Sequence, residues 1–312
     1  MPHFALGNQE LRGATLHQSR PAGRSLGEGR RGFMLEVIFS SIGYAGGVAF
    51  DKIILDKRRV PVMRFIPLLF IWLALVTAIF IPIFGRVDLE IFHYWKAILV
   101  FAAMIGVAVT WNVFYYQGIQ KENLAEFELI MLFTPLATVI LAEIFVPSER
   151  NLGVFAAGII SSSALIASRF RRHHVKLSLI AKRTMLAMLL MSFESILIKY
   201  LLTYFSPVSL YFVRTTVIAV IFLIMYRPKL FEMPLVAYGL TIISAIFGVM
   251  QMVLKFYGFQ NLGIIETTMI LLLGPVLVYI ISYFYFHESL YKRDLLAMAI
   301  IVMSVLYVQF GR

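Results

Sequence analysis

Two stretches decide the fold: GIQKENLAEFELIMLFTPLATVI at residues 118–140 and GFQNLGIIETTMILLLGPVLVYI at residues 258–280. Set over one another at an offset of 140 residues, they pair Gly118 with Gly258, Gln120 with Gln260 and Glu126 with Glu266. They also pair Ile130 with Ile270, Leu132 with Leu272, Pro135 with Pro275 and Ile140 with Ile280. Seven identities in 23 positions exceed chance even in apolar sequence, because Gly, Gln, Glu and Pro are scarce there. The chain therefore reads as an internal duplication. A register one residue shorter puts Glu149 over Glu288. Lys52 corresponds loosely to Lys199, and Arg64 to Arg214.

Around these stretches the sequence is apolar almost throughout. Of 312 residues 60% are hydrophobic and only 14% charged, whereas a soluble domain runs about 45–50% and about 25%. Too little polar surface remains to cover such a chain in water, so it belongs in a bilayer. A hydrocarbon core of about 30 Å needs about 20 helical residues per crossing. Ten segments satisfy that: 34–54, 60–84, 96–118, 124–146, 151–169, 184–204, 207–226, 234–258, 262–286 and 291–310. These runs are continuously apolar and do not alternate, which excludes a transmembrane β-barrel. The predicted fold class is all-α integral membrane, with ten transmembrane helices in two inverted five-helix repeats.

The inversion follows from parity. The longest polar connection, at 171–183, divides the spans into five in 34–170 and five in 184–312. A unit that crosses an odd number of times is followed by a copy of opposite orientation. Inverted repeats of this kind characterise secondary transporters, in which one plan adopts two asymmetric states open to opposite sides. Residues 1–33, with 6 of the 20 glycines and five arginines, read as a disordered basic tail, and Met34 is a candidate start. No apolar core precedes Met34, so the tail is not a signal peptide.

Composition also limits the chemistry. The absence of cysteine removes disulfides and thiolate-ligated metals. The net charge of +11 sits mostly between the apolar runs, where basic residues set orientation and do not mark a nucleic-acid site. There is no GxxxxGK[ST], HExxH or GxSxG, and no paired aspartates of the kind metal-dependent prenyl transfer needs. The six histidines lie in loops, the tail or span ends. A non-enzyme is expected, with no cofactor and no metal.

The passages Phe114-Tyr115-Tyr116-Gln117-Gly118 through Thr134-Pro135-Leu136, and Lys255-Phe256-Tyr257-Gly258 through Gly274-Pro275-Val276, resemble the drug/metabolite transporter superfamily, specifically its EamA-type members. Glu149 with Gly158, Glu288 with Ala297, and Arg64 fit the same pattern. The resemblance covers 34–310. It implies a ten-helix secondary transporter in the plasma (inner) membrane that exports a small-molecule solute, with a central cavity lined by spans three, four, eight and nine. Solutes across the superfamily range from amino acids to sugars, nucleotide-linked compounds and drugs. One departure concerns orientation. Lys and Arg number 14 in the odd connections against 4 in the even ones and the C-terminus, or 9 with the tail. That balance puts the termini outside, whereas family members commonly resemble the reverse arrangement.

A charge at the bilayer centre costs at least about 2.5–3.5 kcal/mol, so each one needs a partner or an aqueous cavity. Asp51, Lys52, Arg64 and Glu143 fall within about a turn of a span end and read as interfacial anchors. Glu194 and Arg214 lie mid-span in neighbouring antiparallel segments. Two roles are open to them: a buried ion pair pinning the helices, or a cavity site in which Arg214 binds an anionic group and Glu194 an ammonium or a coupling proton. Lys199 and Lys255 are further candidates for substrate binding or coupling. So are Trp111, Asn112 and Tyr115 in span three, and Gln251 one turn before Lys255. Glu126 and Glu266 sit in the first turns of spans four and nine, where a carboxylate complements the helix dipole. Pro135 and Pro275 are candidate bending points, since proline removes a backbone hydrogen bond. The mixture of charges suits a zwitterion such as an amino acid. An anionic metabolite is the alternative, and a polytopic membrane enzyme or lipid-handling scaffold is the rival class.

Overall fold

The computed structural model describes residues 26–88, 91, 93–121, 127, 130–131, 133–150, 152–169, 179–229, 233–286 and 292–310. Among these the secondary structure is helical apart from one isolated bridge, Val87 to Phe205. The order is α1 Leu26–Lys52, running into a π-helical turn at Ile53–Lys57, then α2 Val62–Ala78, α3 Ile81–Phe84 and α4 Trp95–Lys121. There follow α5 Phe133–Phe145, a 3₁₀ turn at Pro147–Glu149, α6 Leu152–Arg169, α7 Leu179–Leu201 and α8 Pro207–Tyr226. The chain closes with α9 Leu235–Asn261, α10 Ile264–Leu271, α11 Leu273–Phe286 and α12 Lys292–Phe310.

Among the described residues five helical stretches are long and apolar enough to cross a membrane unaided: 32–55, α4, α7, α8 and α9. Two boundaries move from their expected places. Helix α1 begins at Leu26, so the tail read as ending at residue 33 gives up its last eight residues to the helix. Helix α7 begins at Leu179, inside the connection expected to run to residue 183. In both places the flanking polar residues extend a helix already nucleated by its apolar run, because elongation is easier than initiation.

The major helix pairs all cross between the two sequence halves: α1 with α9, α4 with α7, α2 with α8, and α6 with α12. The halves are thus interleaved. Small residues permit the close approach along α1 and α9. A Cβ on Gly43 would lie 2.7 Å from the Gln251 backbone nitrogen and 2.8 Å from the Phe247 carbonyl oxygen. Ser40 Oγ donates to the Gln251 carbonyl in the same seam. Packing of small residues is the expected glue where lipid supplies no hydrophobic drive between helices.

The polarity of the molecule matches a lipid solvent. Large apolar side chains such as Ile79, Ile83, Leu152, Ile224 and Leu235 face outward. Ser161, Thr184, Ser192, Thr215 and Thr241 are buried, and each hydroxyl donates to the carbonyl one turn earlier on its own helix. That back-bonding satisfies a hydroxyl where no water can.

Connections are bonded to one another as well. The Asp88 amide donates to the Tyr204 carbonyl at 2.8 Å, and the Ser206 amide to the Arg86 carbonyl at 2.9 Å. Ser206 Oγ also caps α8, accepting from the Ser209 amide at 3.3 Å. On other connections Gln120 Nε2 donates to the Val60 carbonyl at 3.1 Å, and Gln260 Nε2 to the Leu202 carbonyl at 3.3 Å.

Candidate functional site

Four helices converge on a buried cluster of charge. Glu194 comes from α7, seven residues before its end, and Arg214 from the third turn of α8. Arg214 Nε donates to Glu194 Oε1 at 2.7 Å, with side chains only 2% and 3% exposed. The other carboxylate oxygen, Oε2, accepts from Trp111 Nε1 of α4, also at 2.7 Å. The Arg214 guanidinium carbon lies 5.9 Å from the centroid of the same indole ring, so Trp111 contacts both members of the pair. Among the described residues Arg214 Nη2 is buried with no hydrogen-bond acceptor. A guanidinium has five N–H donors in a planar fork, and only part of that capacity is met here.

Lys255 of α9 completes the cluster. Its ammonium lies 5.1 Å from the Phe259 ring centroid and within electrostatic reach of both Glu194 and Arg214. Two cations therefore face one carboxylate. Tyr211, fully buried on α8, is in reach of the same pair and meets Phe256 edge-on at 5.8 Å. Tyr115 forms the next layer, edge-on to Trp111 at 5.9 Å, to Tyr116 at 5.1 Å and to Phe127 at 5.2 Å.

The remaining sequence candidates lie elsewhere. Asn112 is buried, but its Nδ2 donates to the Ala108 carbonyl of its own helix at 2.8 Å. Gln251 contributes its backbone carbonyl to the α1–α9 seam. Lys199 does not join the Glu194–Arg214 cluster. It ends α7, with its ammonium 3.0 Å from Glu149 Oε1 and donating to the Phe259 carbonyl at 2.5 Å. Its place five residues after Glu194 turns it off that face, toward the end of the helix.

Glu266 is buried in the first turn of α10, yet the exposed amides of that helix are met by another carboxylate. Glu149 Oε2 accepts from the Ile264 amide at 2.5 Å and the Ile265 amide at 3.3 Å. Gly263 makes this possible: its φ of +95° suits glycine, and a Cβ there would lie 2.8 Å from the Glu149 carboxyl carbon. Glu126 lies outside the described residues. Pro275 sits three residues past Leu272, where α10 gives way to α11, the position at which a proline ring crowds the preceding turn. Pro135 occupies the third position of α5.

Two features escaped the sequence reading. One is the Glu149 cap, which needs two segments 115 residues apart to meet. The other is Asp51. Expected as an interfacial anchor, it is 7% exposed and accepts a hydrogen bond from Ser244 Oγ, well inside α9. Helical structure continues past Asp51 through the π turn to Lys57, so the carboxylate lies further from the helix end than a span closing at residue 54 implies.

Comparison with known proteins agrees with this architecture. A solved structure, described only as the crystal structure of a protein, superposes with a TM-score of 0.66 over 89% of this chain and 96% of that one. At 14% identity that likeness speaks for the fold alone. No curated protein sequence matches the chain. The EamA-like transporter family model matches residues 179–310, which run from α7 to the end of α12 and carry Glu194, Arg214 and Lys255. Residues 179–310 are thus similar to the EamA-like transporter family, whose members are membrane transporters of the drug/metabolite type.

Proposed function

We propose that the protein is a secondary-active transporter of small polar or amphiphilic metabolites. It works by alternating access between two inverted five-helix repeats, 34–170 and 184–312, joined by 171–183. Several contacts support a two-fold relation of the halves, because each has a counterpart in the other half, and the odd number of spans supports the inversion. A Cβ on Gly118 would meet Phe127 of its own half and Thr184 of the other. A Cβ on Gly258 would meet Thr267 and Val37 in the same way. Phe127 and Thr267 differ by the 140-residue offset of the two glycines. Val37 and Thr184 differ by 147, the separation of Lys52 and Lys199. The bond from Gln120 to Val60 within the first half has a counterpart within the second, from Gln260 to Leu202. Such duplicated contacts give two packings of nearly equal energy, which alternating access requires.

The observation that carries the functional reading is the Glu194–Arg214–Trp111 cluster with its unused guanidinium donor. Arg214 binds the carboxylate of an arriving solute, with Lys255 adding a second positive charge. Glu194 receives the ammonium, and Trp111 and Tyr115 cover the apolar part. A zwitterion such as an amino acid meets all these groups at once. Bringing it in replaces one ion pair by two without leaving a bare charge in a low-dielectric interior. The excess of Arg214 and Lys255 over Glu194 favours a second reading, an anionic metabolite such as a sugar phosphate. Export across the plasma (inner) membrane, driven by proton exchange or by the solute gradient, completes the proposal.

Counterflow in proteoliposomes tests it. Vesicles loaded in turn with unlabelled amino acids and sugar phosphates are assayed for uptake of the matching labelled solute, with the wild type beside Arg214→Lys. Arginine to lysine keeps the charge but loses the planar fork. Accumulation of a zwitterion, at least tenfold weaker in Arg214→Lys, is expected. Uptake of sugar phosphates alone moves the conclusion to the anionic reading. No counterflow with either class, or transport indifferent to position 214, overturns both.

A further inference from the structure

We propose that Asp51 is a proton-binding site that governs the packing of the two halves, separate from the Glu194–Arg214 cluster. The inference comes from what surrounds the carboxylate. Glu194 is compensated twice, by Arg214 and by Trp111. Asp51 is 7% exposed and, among the described residues, has one hydrogen-bond partner, the neutral hydroxyl of Ser244. Among the described residues no ion pair reaches it.

The charged and titratable groups on the surrounding elements are these. Lys52 follows it on its own helix, and Lys255 lies eleven residues beyond Ser244 on α9. Arg64 is on α2, Arg214 and Tyr211 are on α8, and Glu266 is on α10. Tyr116 on α4 lies within electrostatic reach of Asp51, and being neutral it supplies no counter-charge. An ionised carboxylate so placed has one neutral donor to replace its water shell, an arrangement that apolar interiors penalise heavily. A protonated carboxyl needs no counter-charge and keeps the Ser244 bond. In this conformation Asp51 therefore holds a proton.

Position gives the proton its consequence. Asp51 and Ser244 lie in the seam between α1 and α9, which belong to opposite halves and touch along Gly43, Gly46 and Gly47. Two residues further on, α1 changes to the π-helical form. Loss of the proton creates a charge in a closely packed seam, so α1 and α9 separate at that level until the carboxylate is hydrated. Protonation closes the seam, and deprotonation opens it. A group of this kind ties a conformational change to one proton, and the cluster on α7 and α8 remains free to hold the solute. Only the use of that proton in transport rests on the transporter reading; its binding does not.

Infrared difference spectroscopy on the purified full chain, in detergent and without solute, tests the binding. The carbonyl stretch of a protonated carboxyl is followed as pH is raised. The wild type is expected to show such a band and lose it in the alkaline limb. Asp51→Asn, which keeps size and hydrogen bonding, loses the band throughout. Asp88→Asn, altered in a connection, retains it, and Ser244→Ala shifts the midpoint. Amide hydrogen exchange in the 43–51 segment, corrected for its intrinsic pH dependence, rises about tenfold across the same interval in the wild type and stays flat in Asp51→Asn. A band that survives intact in Asp51→Asn, or a wild type without one, overturns the site. Exchange in 43–51 that follows pH equally in both proteins overturns the seam mechanism. Both readouts proceed without transport, so a failure of the solute assay and a failure of this proposal are distinguishable.

Discussion

Replacing Glu194 by glutamine removes one charge from a pair whose side chains are 2% and 3% exposed, and leaves Arg214 in place. The side chain stays nearly isosteric. Its amide oxygen can still accept from Trp111, so packing and one hydrogen bond survive. The Arg214 guanidinium loses its anion while Nη2 already lacks an acceptor. It also cannot escape: the residue stands seven positions inside α8, roughly 10 Å from the helix start. Breaking a buried pair from one side costs about 3–5 kcal/mol, most of it the stranded charge. The double variant Glu194→Gln with Arg214→Gln removes that charge and is expected to lie within about 2 kcal/mol of the wild type, because neutral replacement of a buried pair is often tolerated. Reversible unfolding of all four proteins in mixed micelles, followed by tryptophan fluorescence, measures the cycle. The two single losses then exceed the double loss by at least about 2 kcal/mol, a coupling of the size neighbouring partners show. A Glu194→Gln protein within about 0.5 kcal/mol of the wild type, or a cycle that simply adds up, refutes a desolvated pair at this position.

Other substitutions probe the groups that hold the site. Trp111→Phe keeps a ring over Arg214 but removes the 2.7 Å indole bond to Glu194, and is expected to cost about 1.5–3 kcal/mol in the same unfolding assay, as for other bonds to charged groups. Gly263→Ala meets both an unfavourable φ of +95° and the Glu149 carboxyl at 2.8 Å. A loss of about 1–3 kcal/mol should appear, with faster hydrogen exchange at the Ile264 and Ile265 amides. Gly43→Ala forces a methyl against backbone atoms of α9 at 2.7 and 2.8 Å, and should destabilise by about 1–3 kcal/mol. Gly47→Ala, whose nearest neighbour is Phe247 Cβ at 4.0 Å, should stay within about 0.5 kcal/mol. Equal stability of the two alanine variants contradicts the close seam.

Much of the architecture was legible in the order of residues because lipid imposes a simple rule. Every crossing must satisfy its own backbone, so a run of about 20 apolar residues has helix as its outcome. Helices occupy parts of all ten expected segments, and Pro275 marks the change from α10 to α11 for a local steric reason. Glu194 and Arg214 were recognisable as partners because a charge at mid-span needs one, and short connections make α7 and α8 neighbours. Lys199, Glu149 and Asp51 were not legible in this way. The fate of each depends on a helix distant in the chain: Phe259 and Glu149 for Lys199, the start of α10 for Glu149, and Ser244 for Asp51.

The sequence by itself determined that this is an all-helical membrane chain with two mid-span charges in need of partners, since hydropathy and period act locally. Only the tertiary structure decided which charges share a site, because that depends on how α1 meets α9 and α4 meets α7 across the halves. Those contacts are set by the fit of small residues and hydrogen bonds between distant segments, and no local pattern in the chain encodes them.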